Sequence, residues 1–244
     1  ELSACEGRES VVSEGPFAGW GLRRLMDVYG RELVGQGVYE RYPEAFPLLI
    51  KLIDAQEDLS IQTHPGDRYA VERRLGPWGK MEAWYVLHSE AGRIAYGLKE
   101  GVGRAEFEAA IRAGRVEDAV ASFEVRPGDV VFMPPGTVHA LGRGVVVYEV
   151  QQSSDLTFRI YDYNRPGPDG KLRELHIDQA LDVITFGARL AGPVAWNELS
   201  GAQTAQTLLV TSEHFRLERH CPTGTRTSHE SGDSFAALTV IDGE

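Results

Sequence analysis

From Leu48 to Tyr163 the chain is a series of short runs rich in branched and aromatic residues, each cut off within a few positions by Gly, Pro or Asp. Punctuation this dense leaves room for many short strands and few long helices. Strands are predicted over 48–55, 59–64, 82–88, 93–98, 122–125, 129–133, 145–151 and 156–163, and again over 207–218 and 234–241. Helical spacing breaks in at three places. Leu22, Leu25, Met26, Tyr29 and Leu33 predict a helix over 22–34 closed by Gly35. Phe107, Ala110 and Ile111, then Val116, Ala119, Val120 and Phe123, predict two short helices broken at Gly114, an insertion near 104–122. Ile177, Ala180, Leu181 and Ile184 predict a fourth helix. Residues 68–75 read as a helical turn, and 165–171, with two prolines and two glycines, as a loop.

This pattern points to a mainly β fold, a β-sandwich or jelly-roll barrel with small helical insertions. Residues 1–186 read as the principal domain, 187–206 as a linker, and 207–244 as part of a second β-barrel. The chain opens on Glu1 and stops at Val240–Glu244, where a strand enters a turn, so both ends read as cut.

A net charge of −11 argues against non-specific binding to nucleic acid or to an anionic membrane, though a local basic pocket would still suit an anionic small molecule. No apolar run approaches a membrane span: Phe46–Ile50 stops at Lys51. The first residues carry no signal-peptide pattern, and Cys5 and Cys221 sit in no paired motif, so a reducing cytoplasm is the expected compartment.

Two segments carry the chemistry. Ser60-Ile61-Gln62-Thr63-His64-Pro65 is followed by Lys80-Met81-Glu82, and Gly128 to His139 runs through Pro134-Pro135-Gly136-Thr137. Strand alternation puts Ser60, Gln62 and His64 on one face, and Lys80, Glu82 and Trp84 on one face. His64, His139, Glu82 and Gln62 make a plausible first shell for zinc, or for the two-histidine, one-carboxylate site of non-haem iron. A buried Lys80 beside Glu82 would need pairing or a ligand. Glu149, Gln151, Ser153, Asp155, Thr157 and Arg159 share one parity, and unbroken pairing would line one face with them. The commoner reading of that pattern is a solvated edge-strand face. A basic group there could instead bind phosphate or stabilise an oxyanion. Arg165 is the loop cation best placed to reach inward. His88, His176, His214, His220 and His229 are assigned ordinary structural or surface roles. No nucleotide-binding glycine loop, CxxC pair or nucleophile elbow is present.

Gly128-x5-Pro134-x-Gly136-x2-His139 is similar to the second cupin motif. Phe46–Ala55, Leu59–Asp67, Gly79–Tyr85, Pro134–Ala140 and Glu149–Tyr163 together resemble type I mannose-6-phosphate isomerase, in order, from about residue 1 to 186, closest to the short bacterial form. The resemblance implies a cupin fold, zinc, and interconversion of mannose 6-phosphate and fructose 6-phosphate through a cis-enediol. It implies His64, Glu82 and His139 as zinc ligands, with Gln62 as the fourth in many members. It matches Arg159 to the family's catalytic arginine and Glu149 to an acidic pocket residue. Ser60, Lys80 and Arg165 fall where the family handles substrate and its phosphate, and Arg165 stands where some members have lysine. The implied partner is a phosphorylated hexose, with no nucleic acid or membrane, on a monomer or weak homo-oligomer. An iron-dependent cupin oxygenase and a non-catalytic sugar-phosphate-binding cupin are the competing readings.

Overall fold

A computed structural model describes every residue except 44, 168, 189, 191, 196–205, 223, 225–231 and 244. Most of the linker expected over 187–206, and His229, therefore lie outside the described residues.

Two five-stranded antiparallel sheets face each other. The first runs β1 (Leu48–Asp54), β8 (Val145–Gln152), β3 (Glu82–Ser89), β6 (Asp129–Met133) and β10 (Val194–Ala195). The second runs β5 (Val120–Glu124), β4 (Arg93–Leu98), β7 (His139–Leu141), β2 (Ile61–Thr63) and β9 (Phe158–Tyr161). The orders 1-8-3-6 and 5-4-7-2 alternate between the sheets along the chain, which is jelly-roll topology. The mainly β, cupin-type architecture is thus present as two facing sheets. No hydrogen-bonded strand pair closes them into a barrel among the described residues.

Both sheets are covered outside as well as inside, and the central strands β3, β7 and β8 are buried on both faces over most of their length. The helices α4 (Arg104–Arg112), α5 (Val116–Ala119) and α6 (Ile177–Val183) pack Phe107, Val116, Ala180 and Leu181 onto Ile61, Ala140, Phe158 and Ile160 of the second sheet. A hairpin of β11 (Gln206–Thr211) and β12 (Arg216–His220) lays Leu209, Val210, Phe215 and Leu217 on Ala83, Tyr85, Tyr148 and Val150 of the first. The single strand predicted over 207–218 is therefore two strands, turned at 212–215. The strand predicted over 234–241 is irregular chain: Leu238 and Val240 are 88% and 73% exposed, with no partner strand beside them among the described residues.

The helix α1 (Leu22–Val34) matches its prediction and buries Leu22, Met26 and Val34 against Phe46. The short α2 (Gln36–Arg41) and α3 (Asp67–Glu72) complete the helices described. Between the sheets one half is filled by Val86, Ile94, Val131, Leu141, Val145 and Val147. The other half is polar.

Candidate metal centre

Three strand ends bring the polar half together. His64 follows the last residue of β2, Glu82 is the first residue of β3, and His139 is the first of β7. Gln62 pairs with His139 on one side and with Arg159 on the other, so these three side chains share a face of the second sheet. The turn before His139 is tied to the other histidine segment, because the Gly136 N–H donates to the His64 carbonyl at 2.9 Å. Gly136 has φ +83°, and a Cβ there would overlap the Val183 carbonyl oxygen, so only glycine fits this turn.

His64, Glu82 and His139 are 2%, 0% and 1% exposed, and one ligand atom from each lies within 4.8 Å of the others. Each imidazole is oriented from behind. Nδ1 of His64 lies 2.8 Å from the Leu156 carbonyl oxygen and Nδ1 of His139 lies 3.0 Å from that of Thr137. A carbonyl only accepts, so in the neutral ring Nδ1 carries the proton and Nε2 offers its lone pair inward. Nε2 of His139 is 3.0 Å and Nε2 of His64 is 3.6 Å from the Glu82 carboxylate. Lys80 Nζ is 3.0 Å from Glu82 Oε2. None of these approaches has hydrogen-bond geometry, and both Glu82 oxygens and His64 Nε2 are left without a hydrogen-bond partner. The Lys80 ammonium offsets the charge of this fully buried carboxylate, and a metal ion between it and the two imidazoles would complete its bonding.

The electrostatics keep the donors ready for a cation. Burial would raise the Glu82 carboxyl, but Lys80, His64 and His139 outweigh it and hold it well below the usual carboxylate range. Burial, then Lys80, pushes His64 well below the ordinary imidazole value against the pull of Glu82, which keeps it a neutral ligand. Burial opposes charge on Lys80, yet Glu82 and Glu149 prevail and raise it. The donor set of two imidazoles and a carboxylate fits zinc, with room in the set for one more ligand.

The remaining predicted residues fall in three places. Gln62 Nε2 lies 3.5 Å from His139 Nε2, and Ser60 Oγ donates to Gln62 Oε1 at 3.3 Å. Glu149 sits in the first sheet beside Trp84: its Oε1 accepts the Trp84 indole N–H at 2.9 Å, and its Oε2 pairs with Lys51 at 3.0 Å. The continuous face expected from Glu149 to Arg159 is broken. β8 ends at Gln152, residues 153–157 leave the first sheet, and Arg159 lies in the second. Arg159 Nη1 donates to the Glu174 carbonyl at 3.0 Å while its buried Nε has no partner. Burial, then Arg173, lowers it from the ordinary guanidinium value. Arg165 stands at the rim, held by Asp162 at 2.9 Å and Glu57 at 3.0 Å. His88 and His220 are surface residues, His214 is buried beside Tyr42, and His176 abuts Arg159 by accepting its backbone N–H.

Three further residues belong to the site. Lys51 bridges Glu149 and Gln151, at 3.0 and 2.7 Å. Trp84 stands edge-on to His139 at 5.6 Å while donating to Glu149, so it joins the carboxylate to the metal-facing ring. Asp162, buried, accepts from both Arg165 and Arg173. The signal for Lys51 is a lone ammonium in the middle of an apolar strand.

The family model for the catalytic domain of type I phosphomannose isomerase matches residues 8–105. Mannose-6-phosphate isomerase of Streptococcus mutans is 40% identical over 217 residues, covering 88% of this chain and 66% of that protein. The ManA mannose-6-phosphate isomerase of Bacillus subtilis is 40% identical over 244 residues, covering 100% of this chain and 75% of that protein. The crystal structure of the mannose 6-phosphate isomerase from Bacillus subtilis superposes with a TM-score of 0.77 at 33% identity, covering 89% of this chain and 67% of that one. A zinc-bound mannose 6-phosphate isomerase structure, 17% identical, shares the fold with a TM-score of 0.60 over 83% of this chain and 70% of that one. The jelly-roll sheets, the buried His–Glu–His set and these matches agree: the chain belongs to the type I mannose-6-phosphate isomerase family.

Proposed function

We infer that this chain interconverts mannose 6-phosphate and fructose 6-phosphate, using a zinc ion held by His64, Glu82 and His139 with Gln62 as fourth ligand. The observation that carries the reading is the convergence of the 0% exposed Glu82 carboxylate, paired with Lys80, and two imidazole Nε2 atoms that face it, one ligand atom of each lying within 4.8 Å of the others. Relatives at 40% identity named as mannose-6-phosphate isomerases supply the substrate. Bound zinc supplies Lewis acidity toward the sugar's carbonyl and hydroxyl oxygens.

The reaction moves a proton between carbons 1 and 2 of the open-chain sugar through a cis-enediol. Arg159 would stabilise the negative charge that develops on the enediol oxygens, and its buried Nε without a hydrogen-bond partner supports that role. A guanidinium is a poor base, so its role is electrostatic. The base is one of two candidates, Glu149, which Lys51 and Trp84 hold, or a water that bound zinc would activate. Ser60 and Lys80 would contact the sugar from inside. Arg165, at the rim beside Arg173, would meet the phosphate dianion. The reading places the protein in the cytoplasm as a monomer or weak homo-oligomer.

Metal analysis together with a coupled mannose 6-phosphate assay tests it. One zinc per chain is expected, with turnover lost on chelation and restored by zinc. Iron with oxygen uptake, or sugar-phosphate binding without turnover in zinc-loaded protein, would replace it with another reading.

A further inference from the structure

Asp67 and Gln152 contribute nothing to the ligand set, yet they hold the backbone that carries it. Asp67 Oδ1 accepts the Gly79 N–H at 2.7 Å and the Gln152 side-chain amide at 2.9 Å. Gln152 is 2% exposed, and its Oε1 accepts the Met81 N–H at 2.8 Å. Between them the Pro65 carbonyl accepts the Lys80 N–H at 2.9 Å. Three consecutive backbone N–H groups, 79 to 81, are therefore all bound, immediately before Glu82. Two of the acceptors, Pro65 and Asp67, lie just after His64, and the third, Gln152, is held by Asp67. The two strips touch so closely that a Cβ on Gly79 would overlap the Pro65 carbonyl oxygen and the Gly66 backbone.

We propose that Asp67 and Gln152 are positioning residues that fix the separation of His64 from Glu82, and through it the affinity of the metal site. The proposal rests on the metal reading above. Asp67 and Gln152 clamp two strips that no strand pairing joins, because β2 and β3 lie in different sheets. Without the clamp the direct tie left between the strips would be the Lys80 N–H to Pro65 carbonyl bond, and the ligand geometry would rest on it and on the ends of two separate strands. Outer-shell contacts of this kind are worth about 10- to 100-fold in metal affinity. The alternative role for Asp67 is local, as an acidic residue in the first turn of the short α3. That role would change stability and leave metal affinity alone.

The test is zinc affinity by chelator competition on the full chain, beside thermal melting of the metal-free protein. Asp67→Ala and Gln152→Met should each weaken zinc binding about 10- to 100-fold, and Asp67→Asn, which keeps an acceptor at Oδ1, should recover most of it. Asp58→Ala is the control: Asp58 also accepts a backbone N–H, that of Arg143 at 2.8 Å, on a loop bearing no ligand. It should lower the melting temperature without changing zinc affinity. Wild-type zinc affinity in folded Asp67→Ala and Gln152→Met would overturn the proposal. Should Asp67→Ala not fold, Asp67→Glu takes its place, where weakened binding supports the proposal and unchanged binding overturns it. A wild-type chain that binds no zinc would instead remove the metal reading itself.

Discussion

The space between the two sheets has two halves built on opposite terms. In one, Val86, Ile94, Val131, Leu141, Val145 and Val147 are at most 1% exposed and form an apolar layer. In the other, His64, Lys80, Glu82, His139, Glu149 and Gln151 are 6% exposed or less, and all are polar. Equal burial has opposite consequences. Each apolar side chain stabilises the fold by roughly 1.5–3 kcal/mol, while each buried polar group costs free energy until it is bonded. Of the buried side-chain atoms without a hydrogen-bond partner among the described residues, four belong to His64, Glu82 and Arg159. The fifth, Thr63 Oγ1, lies on the opposite face of β2. The apolar half lets the fold carry a polar half that waits for a cation and an anion.

If that division is right, damage to the two halves should be separable. The largest effect belongs to Glu82→Gln. It should abolish stoichiometric zinc binding and lower turnover roughly a thousandfold or more, because a metal contributes several kcal/mol to such a transition state. Metal content and the coupled assay on the same sample check both outcomes. Next is Arg159→Ala, expected to cost roughly 10²- to 10³-fold in turnover with zinc retained. Near-normal turnover would remove Arg159 from the chemistry. In the apolar half, Ile94→Val should lower stability by about 0.5–1.5 kcal/mol and leave zinc content and KM as they were. A loss of zinc in that variant would show the halves to be coupled.

The sequence reading succeeded where the physics is local. Side chains two apart share a strand face whatever the strand pairs with, so Gln62 with His64, and Lys80 with Glu82 and Trp84, are legible without a fold. Strand extents were legible too, because Gly and Pro interrupt both regular structures. What joins His64, Glu82 and His139 is pairing of β2 with β7 and the facing of one sheet by the other; residue type grouped them as a plausible metal shell, and the family resemblance assigned them as ligands. Parity failed between Glu149 and Arg159 because the chain changes sheets at 153–157, which no alternation records. It failed again at 234–241, where apolar alternation stands without a neighbouring strand among the described residues. The two turns of α2 are too short for any period to announce.

The rim of the polar half sharpens the contrast, because its charges are already paired. Asp162 accepts from Arg173 Nε at 2.6 Å and from Arg165 at 2.9 Å, and its side chain is 5% exposed. Burial would raise its carboxyl, but Arg173 and Arg165 outweigh it and hold it below the ordinary carboxylate range. The folded protein therefore binds this proton less readily than the unfolded chain, whose aspartates titrate near pH ~3.9. The stabilisation is fully present above that value and is lost as pH falls through the lower folded value. Metal-free wild type should melt progressively earlier as the buffer is taken from pH ~5 toward pH ~3, and Asp162→Asn should flatten that slope. Wild type and variant should differ most near neutrality and converge in acid. A difference that stays constant across the range would mean that Asp162 holds its arginines by shape rather than charge, and that the rim, like the apolar half, stabilises the fold independently of pH.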